Sequence, residues 1–232
     1  MLEIRRLDAY YGNSRALQNV DIQVSDGGFL SIIGRNGVGK TTLLRAILGL
    51  MDRTRGSIRL DGLEISGMST YRRARAGIGY VPQGRGILPR FTVAENLRMG
   101  TFAREEGRAP VDEAFVFSLF PVLQERLNAR GGNLSGGQQQ QLAIARALLS
   151  SPKIILLDEP TEGIQPNVVE QIETVIRRLN KELGITIVLV DQDIAFARGA
   201  SDSFAIIDKG RVVAGGPAKE LTDDLVNRHM AV

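Results

Sequence analysis

The sequence predicts an α/β fold with a mostly parallel sheet and helices on both faces. Short apolar strands alternate with helix-length segments near both ends of the chain. The N-terminal stretch has strand patterning alone, which we expect to form an antiparallel β part. A long middle stretch loses strand signals. We therefore expect one domain, with a core at about 1–92 and 151–232 and an inserted helical subdomain at about 93–150.

The first part of the chain contains strands of two kinds. Leu17–Val24 alternates apolar and polar residues, as a strand with one buried face does. The turn signal Asp26-Gly27-Gly28 separates it from Phe29–Ile33, a compact apolar strand that leads towards a helix at Lys40–Leu48. Three more strands are predicted, at Leu2–Leu7, Gly56–Leu60 and Ile78–Val81.

The middle and the last part differ in character. Helices are predicted throughout the middle, at Val93–Met99, Val111–Leu119, Pro121–Leu127 and Gly136–Leu149. Strands then return, at Lys153–Leu157, Thr186–Val190, Phe204–Ile207 and Arg211–Ala214. Two helices alternate with them, at Pro166–Leu183 and Ile194–Ala200. The tail, Pro217–Val232, is interpreted as a terminal helix whose role stays open.

Composition excludes several classes of function. The 232 residues suit one globular domain, and the absence of cysteine excludes disulfides and any cysteine nucleophile or metal site. Arginines are dense between Arg45 and Arg98, but no aromatic residues interleave with them, so we expect a solvated surface and no nucleic-acid partner. No apolar run approaches the about 20 residues of a spanning helix, so any membrane role is expected to act through a partner.

A phosphate-binding loop lies between the strand Phe29–Ile33 and the helix at Lys40–Leu48. Its sequence, GRNGVGKTT, matches the pattern G-x-x-x-x-G-K-[ST] in the strand–loop–helix context that the pattern requires. The glycines let backbone N–H groups and the helix N-terminus approach an anion. We expect Lys40 to reach the β and γ phosphates and the Thr41 hydroxyl to bind Mg²⁺. The predicted nucleotide contacts in this loop are Gly34, Asn36, Gly37, Gly39, Lys40, Thr41 and Thr42.

Two adjacent carboxylates follow a second apolar strand. Asp158 and Glu159 come directly after Ile154–Leu157. We expect Asp158 to lie beside the phosphate loop, where its carboxylate can hold Mg²⁺ through water. Glu159 is then placed to face the γ phosphate, and it is our candidate for the group that activates the attacking water.

A third motif, Leu134–Gln138, reads LSGGQ and precedes a predicted helix. The N–H groups of Gly136 and Gly137 and the Ser135 hydroxyl form a second anion-binding helix cap. With the two motifs above, this segment resembles the signature of the ABC ATPases, a family of P-loop NTPases. The resemblance covers nearly the whole chain. It implies ATP and Mg²⁺ as ligands, and a head-to-tail dimer in which Ser135, Gly136, Gly137 and Gln138 contact the nucleotide of the opposite subunit.

The resemblance also implies further roles. Tyr11 corresponds to the aromatic residue that stacks on adenine, with Tyr10 as its nearest rival. Gln83 corresponds to the loop glutamine that contacts Mg²⁺ and the attacking water. The partners implied are membrane permease subunits, a second ATPase subunit and, indirectly, a solute-binding protein. The implied location is peripheral, on the cytoplasmic face of the inner membrane.

Two positions depart from the usual family pattern. Gln192 stands where the family commonly has a histidine that contacts the γ phosphate, and the only histidine of the chain is His229. Glutamine can donate a hydrogen bond to phosphate but cannot carry a proton at neutral pH, so the general base must be Glu159. Gln165 stands where an aspartate is usual, which bears on coupling between the two subunits.

These departures are similar to the branched-chain amino acid importer subfamily. The strings VPQGRGILPRFTVAENLRMG, GGNLSGGQQQQLAIARALLS and LLDEPTEGIQPNVV are most similar to those of urea-import ATPases. The resemblance therefore implies an ATPase that powers uptake of urea, a related small amide or a branched-chain amino acid.

Other functions fit the motifs less well. ABC ATPases of DNA repair carry long coiled-coil or zinc insertions, and translation-associated members carry two cassettes, whereas this chain has neither. The alternative that stays open is an ATP-dependent clamp or regulatory protein without useful hydrolysis, because Gln165 and Gln192 both depart from the family pattern. Measured turnover would separate that alternative from an enzyme.

Overall fold

The computed structural model describes residues 1–230. The strands, in chain order, are β1 (Leu2–Tyr11), β2 (Ser14–Val24), β3 (Phe29–Ile33), β4 (Arg53–Leu60), β5 (Leu63–Glu64), β6 (Ile78–Val81), β7 (Ile154–Asp158), β8 (Thr186–Asp191), β9 (Ser203–Asp208) and β10 (Arg211–Pro217). The helices are α1 (Lys40–Leu48), α2 (Thr70–Arg75), α3 (Val93–Thr101), α4 (Glu113–Leu119), α5 (Pro121–Glu125), α6 (Gly136–Leu148), α7 (Pro166–Leu183), α8 (Ile194–Ala200) and α9 (Asp223–Met230).

The strands form two sheets, and the predicted fold class is confirmed. An antiparallel sheet has the order β2-β1-β4-β5. A larger sheet has the order β10-β9-β3-β8-β7-β6 and is parallel except for the β9–β10 pair. Every residue of β3, β7 and β8 is buried, as expected for parallel strands covered on both faces. Their carboxyl ends therefore meet at one edge of the sheet.

Several boundaries differ from the sequence prediction because of local contacts. Strand β1 continues past the predicted Leu7, since its pairing with β2 runs to Tyr11 opposite Ser14. Helix α4 begins later than predicted, because the Asp112 side chain accepts a hydrogen bond from the Ala114 N–H at 2.9 Å and caps the helix. Helix α5 ends at Glu125, two residues earlier than predicted.

Helix α2 and the short strand β5 are absent from the sequence prediction. The predicted terminal helix is present as α9, and residues 231–232 of the predicted tail lie outside the described residues. Within residues 1–230, no helix combines the length and the apolar character that a membrane span needs.

Helix α2 is attached to the end of α1 by the buried side chain of Arg73. Its guanidinium donates to the carbonyl oxygens of Ala46 and Ile47, at 2.9 and 2.8 Å, in the last turn of α1. It also donates to the carbonyls of Ser66 and Met68, at 2.6 and 2.9 Å. Helix C-termini leave carbonyl groups without intrahelical partners. Arg73 therefore satisfies the end of the helix whose beginning forms the phosphate loop.

We expect Arg73→Leu to lower the free energy of unfolding by at least about 3 kcal/mol, because each buried carbonyl left without a donor costs about 1–3 kcal/mol. The matched control is Arg72→Leu, since Arg72 is exposed and its change should stay within about 0.5 kcal/mol. Urea denaturation of both variants measures the difference. Equal stability of the two variants would contradict the role given to Arg73.

Candidate active site

The loop between β3 and α1 is shaped by glycines at two positions where another residue would not fit. A Cβ atom on Gly34 would overlap the carbonyl oxygen of Ile207 in the neighbouring strand β9. Gly39 caps α1 with a φ of 115°, which side-chain-bearing residues rarely adopt. The chain can therefore turn tightly from the buried strand into the helix, with the first N–H groups of α1 facing outwards.

Lys40 is only 4% exposed, although it carries a charge. Its Nζ donates to the carbonyl oxygens of Gly34 and Arg35 at 2.8 and 2.9 Å, and lies 3.3 Å from Oε1 of Glu159. A buried ammonium is tolerated only when it is paired and hydrogen-bonded in this way. The arrangement holds a positive charge at the centre of the loop.

Asp158 is fully buried at the end of β7, and its Oδ1 accepts a hydrogen bond from the Thr41 hydroxyl at 3.0 Å. Burial raises the pKa of Asp158 above its ordinary value, while the bond from Thr41 and the charge of Lys40 act in the opposite direction. A hydroxyl and a carboxylate oxygen side by side are ligands that suit Mg²⁺, which otherwise keeps waters and substrate phosphates. These two residues therefore fit the predicted metal.

Glu159 lies one residue further on and has an unusual backbone. Its φ is 46°, and its N–H donates to the carbonyl oxygen of Val190 at 2.8 Å. The left-handed conformation turns the side chain towards Lys40 instead of continuing the strand. Such conformations in residues other than glycine cluster at functional sites.

Two glutamines from separate loops flank Glu159. Nε2 of Gln83 donates to Oε2 of Glu159 at 3.3 Å, and to Glu162 at 2.8 Å. Nε2 of Gln192 donates to Oδ1 of Asn36 at 2.9 Å and reaches Oε1 of Glu159 at 3.5 Å. The amides thus hold the Glu159 carboxylate from two sides, and Gln192 contacts the phosphate loop directly.

The residues around Lys40 enclose a cavity of about 230 Å³. It is lined by Asn36, Gly37, Gly39, Lys40, Thr41, Thr42, Gln83 and Glu159. Tyr11 lies at its margin, with its hydroxyl 3.4 Å from that of Thr42, and is 42% exposed. Tyr10 is buried and Arg53 covers its ring at 4.1 Å, whereas Tyr11 is exposed with Arg45 at 5.8 Å from its ring, and its stacking on adenine stays a prediction.

The LSGGQ segment lies apart from this cavity. Ser135 and Gln138 form a reciprocal capping box at the start of α6: the Gln138 N–H donates to the Ser135 hydroxyl, and the Ser135 N–H donates to the Gln138 amide oxygen. Gly136 and Gly137 form the first turn of that helix. Within residues 1–230, neither capping residue hydrogen-bonds to the phosphate loop, so one chain carries two separate groups of predicted nucleotide contacts.

Sequence reasoning missed two residues that belong to this site. Glu162 holds Gln83, and the Tyr80 hydroxyl lies 3.4 Å from Oδ2 of Asp158. Burial and the Asp158 carboxylate raise the pKa of Tyr80 above its ordinary value, so its hydroxyl keeps its proton. The strand Ile78–Val81 was predicted, but its register against β7, which sets this contact, has no signal in the local sequence.

A family comparison accounts for these features together. The ABC transporter family model matches residues 17–162, from β2 through the phosphate loop and the LSGGQ segment to the loop after β7. The chain belongs to the ABC transporter family. It is an ATPase of that family, with the phosphate loop, the carboxylate pair and the LSGGQ segment within or next to the matched residues.

Two curated relatives cover nearly the whole chain. The high-affinity branched-chain amino acid transport ATP-binding protein BraG of Pseudomonas aeruginosa is 41% identical over 92% of this chain and 91% of its own length. The probable branched-chain amino acid transport ATP-binding protein LivF of Archaeoglobus fulgidus is 35% identical over 96% and 94%.

Among solved structures, the ATP-binding cassette MJ0796 in its dimeric, post-hydrolysis state with ADP and Pi has a TM-score of 0.82 and 30% identity. The match covers 94% of this chain and 99% of that one.

We expect Lys40→Ala to weaken ATP binding at least about tenfold, because a charge-assisted hydrogen bond contributes about 1.5–3 kcal/mol. The matched control is Arg35→Ala, a neighbouring cation in the same loop whose exposed side chain bonds to the carbonyl oxygen of Met230. Titration with a fluorescent ATP analogue measures both variants. Unchanged affinity in Lys40→Ala would exclude this loop as the phosphate site.

We expect Glu159→Gln to bind ATP but to turn it over about 100- to 10,000-fold more slowly, the usual contribution of a general base. Glu170→Gln is the control and should keep wild-type turnover, since Glu170 is an exposed carboxylate on α7 outside the lining of the cavity. Phosphate release under saturating ATP gives the turnover. Undiminished turnover in Glu159→Gln would remove Glu159 as the base.

Proposed function

We propose that this chain is the ATP-hydrolysing subunit of an importer for a small amide or amino acid, working beneath membrane permease subunits. The observation that carries the proposal is the pairing of buried Lys40 with Glu159 across a cavity at the end of the parallel strands. That cavity offers a cation for phosphate and a carboxylate for water. Hydrolysis needs both groups, whereas binding alone needs only the cation.

The roles of the residues follow from their positions. Lys40 and the loop N–H groups hold the β and γ phosphates, and Tyr11 stacks on the adenine. Thr41, Asp158 and Gln83 would hold Mg²⁺, which would supply positive charge to neutralise the phosphates. Glu159 leaves Lys40 once a γ phosphate takes its place, and it then accepts a proton from the attacking water.

Gln192 acts as a donor to the γ phosphate in this scheme. Its amide already contacts both Asn36 in the loop and Glu159. A hydrogen bond from Gln192 to the phosphate would therefore change its contact with the Glu159 carboxylate, and no proton would have to move. This supports an enzyme over a clamp that only binds ATP, because the one residue that must take a proton is present.

A second subunit is needed to complete the site. Ser135, Gly136, Gly137 and Gln138 lie outside their own chain's cavity, and the N-terminus of α6 presents N–H groups suited to an anion. We propose that they close on the nucleotide of a partner ATPase, either a second copy or a sister chain. The dimeric state of the similar cassette MJ0796 supports this pairing.

An apolar groove of about 420 Å³ lies between the core and the helices α3 and α6, and we call it the docking groove. Its lining is Leu48, Leu50, Thr70, Ala74, Ile78, Gly79, Tyr80, Leu88, Met99, Gly100, Ala103, Arg146, Ala147 and Ser150. Leu50 and Met99 are more than 40% exposed there. We propose that a helix of the permease binds in this groove, which would hold the chain at the cytoplasmic face of the membrane.

The proposed solute is a branched-chain amino acid or urea. Similarity to BraG and LivF, which are named for branched-chain amino acid transport, supports an amino acid. The three strings that resemble urea-import ATPases support urea. The solute passes through the permease and never contacts this chain, so uptake has to be measured.

The test combines co-purification with uptake. The tagged chain is recovered from gently solubilised native membranes, and its deletion strain is assayed for uptake of labelled leucine and labelled urea. Recovery of permease subunits and loss of one uptake activity would support the proposal and name the solute. Recovery of the chain alone, with both activities intact, would overturn it.

We expect Met99→Glu to reduce recovery of the permease about tenfold or more, because a charge buried against an apolar partner is unfavourable. Leu183→Glu is the matched control, since Leu183 is equally exposed, at 40%, but lies at the end of α7. ATPase activity of the isolated chain should be unchanged in both variants. Full permease recovery with Met99→Glu would exclude the docking groove.

A further inference from the structure

Both oxygens of the Asp158 carboxylate face a hydroxyl group. Oδ1 lies 3.0 Å from the Thr41 hydroxyl, and Oδ2 lies 3.4 Å from the Tyr80 hydroxyl. The last torsion of an aspartate side chain has a broad energy profile, so rotamer preference alone does not fix the plane of the carboxylate. Two hydrogen-bond donors on different oxygens fix the plane of the carboxylate.

The two donors differ in whether they can keep their hydrogen bond to Asp158 when a metal is bound. Thr41 is itself a predicted metal ligand, so its hydroxyl oxygen would be engaged by the metal. Tyr80 lies on the opposite side of the carboxylate and comes from a separate strand. The Tyr80 side chain is half-buried. Its hydroxyl contacts the Asp158 carboxylate, and Tyr80 is not among the residues that line the phosphate cavity. Tyr80 is therefore the donor that can hold Asp158 both with and without a metal.

The register of β6 against β7 places Tyr80 within reach of Asp158. In the parallel pair of β6 and β7, Tyr80 lies opposite Leu156, two residues before Asp158. Residues two positions apart along a strand point to the same face of the sheet. Tyr80 and Asp158 thus share a face, at a diagonal distance that a long aromatic side chain can span.

We propose that Tyr80 is a positioning residue for the metal site, whose hydroxyl orients Asp158 towards Thr41. The proposal rests on the proposed function, because it requires a metal at Asp158. Partners that orient a metal-binding carboxylate commonly change metal affinity about 10- to 100-fold when removed. The long 3.4 Å contact places Tyr80 at the lower end of that range.

The test is Tyr80→Phe, which removes one oxygen and keeps the ring. Mn²⁺ is titrated into the full chain with a non-hydrolysable ATP analogue, and free Mn²⁺ is measured by electron paramagnetic resonance. We expect about a tenfold weaker Mn²⁺ affinity, with the affinity for the analogue in EDTA unchanged. Tyr71→Phe is the matched control, since Tyr71 is exposed and its hydroxyl accepts a hydrogen bond from Arg75.

The environment of the Tyr80 hydroxyl can be followed by NMR, because the chain has only four tyrosines. With ζ-¹³C-labelled tyrosine, the signal that disappears in Tyr80→Phe should shift when Mg²⁺ is added to the nucleotide-bound wild type, and the Tyr71 signal should not. Wild-type Mn²⁺ affinity in Tyr80→Phe would overturn the role of Tyr80 alone. Absence of nucleotide-dependent Mn²⁺ binding in the wild type would overturn the metal site as well.

Discussion

The buried ammonium of Lys40 is the interaction on which the rest of the site depends. A charge that is 4% exposed persists only if its surroundings replace water, and here two loop carbonyls and Glu159 do so. The loop curls so that the carbonyl oxygens of Gly34 and Arg35 accept hydrogen bonds from the ammonium. Glu159 must also turn back from its strand, which accounts for its positive φ. The ion pair thus joins the phosphate loop to the end of β7.

The parallel sheet brings this site together from distant parts of the chain. Strands β3, β6, β7 and β8 end at the same edge, and the residues that follow them include the phosphate loop, Gln83, Glu159 and Gln192. Strands β3, β7 and β8 are buried along their whole length, so the charged and amide side chains of the site lie where the strands end. The apolar core therefore fixes the distances between groups more than 100 residues apart, such as Thr41 and Asp158.

Two further surfaces have partners in our proposal. One is the first turn of α6, which is not part of the cavity lining, and the other is the docking groove, which exposes apolar side chains between the core and α3. Tyr80 links the docking groove to Asp158, since its side chain lines the groove and its hydroxyl contacts the Asp158 carboxylate. A change at the groove thus has a one-residue connection to the carboxylate. The buried Arg73, next to the groove residues of α2, provides a second connection to the end of α1.

The sequence alone determined the α/β class and its main strands, because buried parallel strands are apolar runs and a phosphate loop needs glycines and a lysine at set spacing. It also identified Lys40, Asp158 and Glu159, since each directly follows a strand or loop with a strong local pattern. Only the tertiary structure decided which side chains meet across strands. Tyr80 reaches Asp158 through the β6–β7 register, Arg73 reaches α1 across a chain reversal, and the Lys40–Glu159 pair spans 119 positions. Such contacts depend on how distant segments align, and no local pattern of residues encodes that alignment.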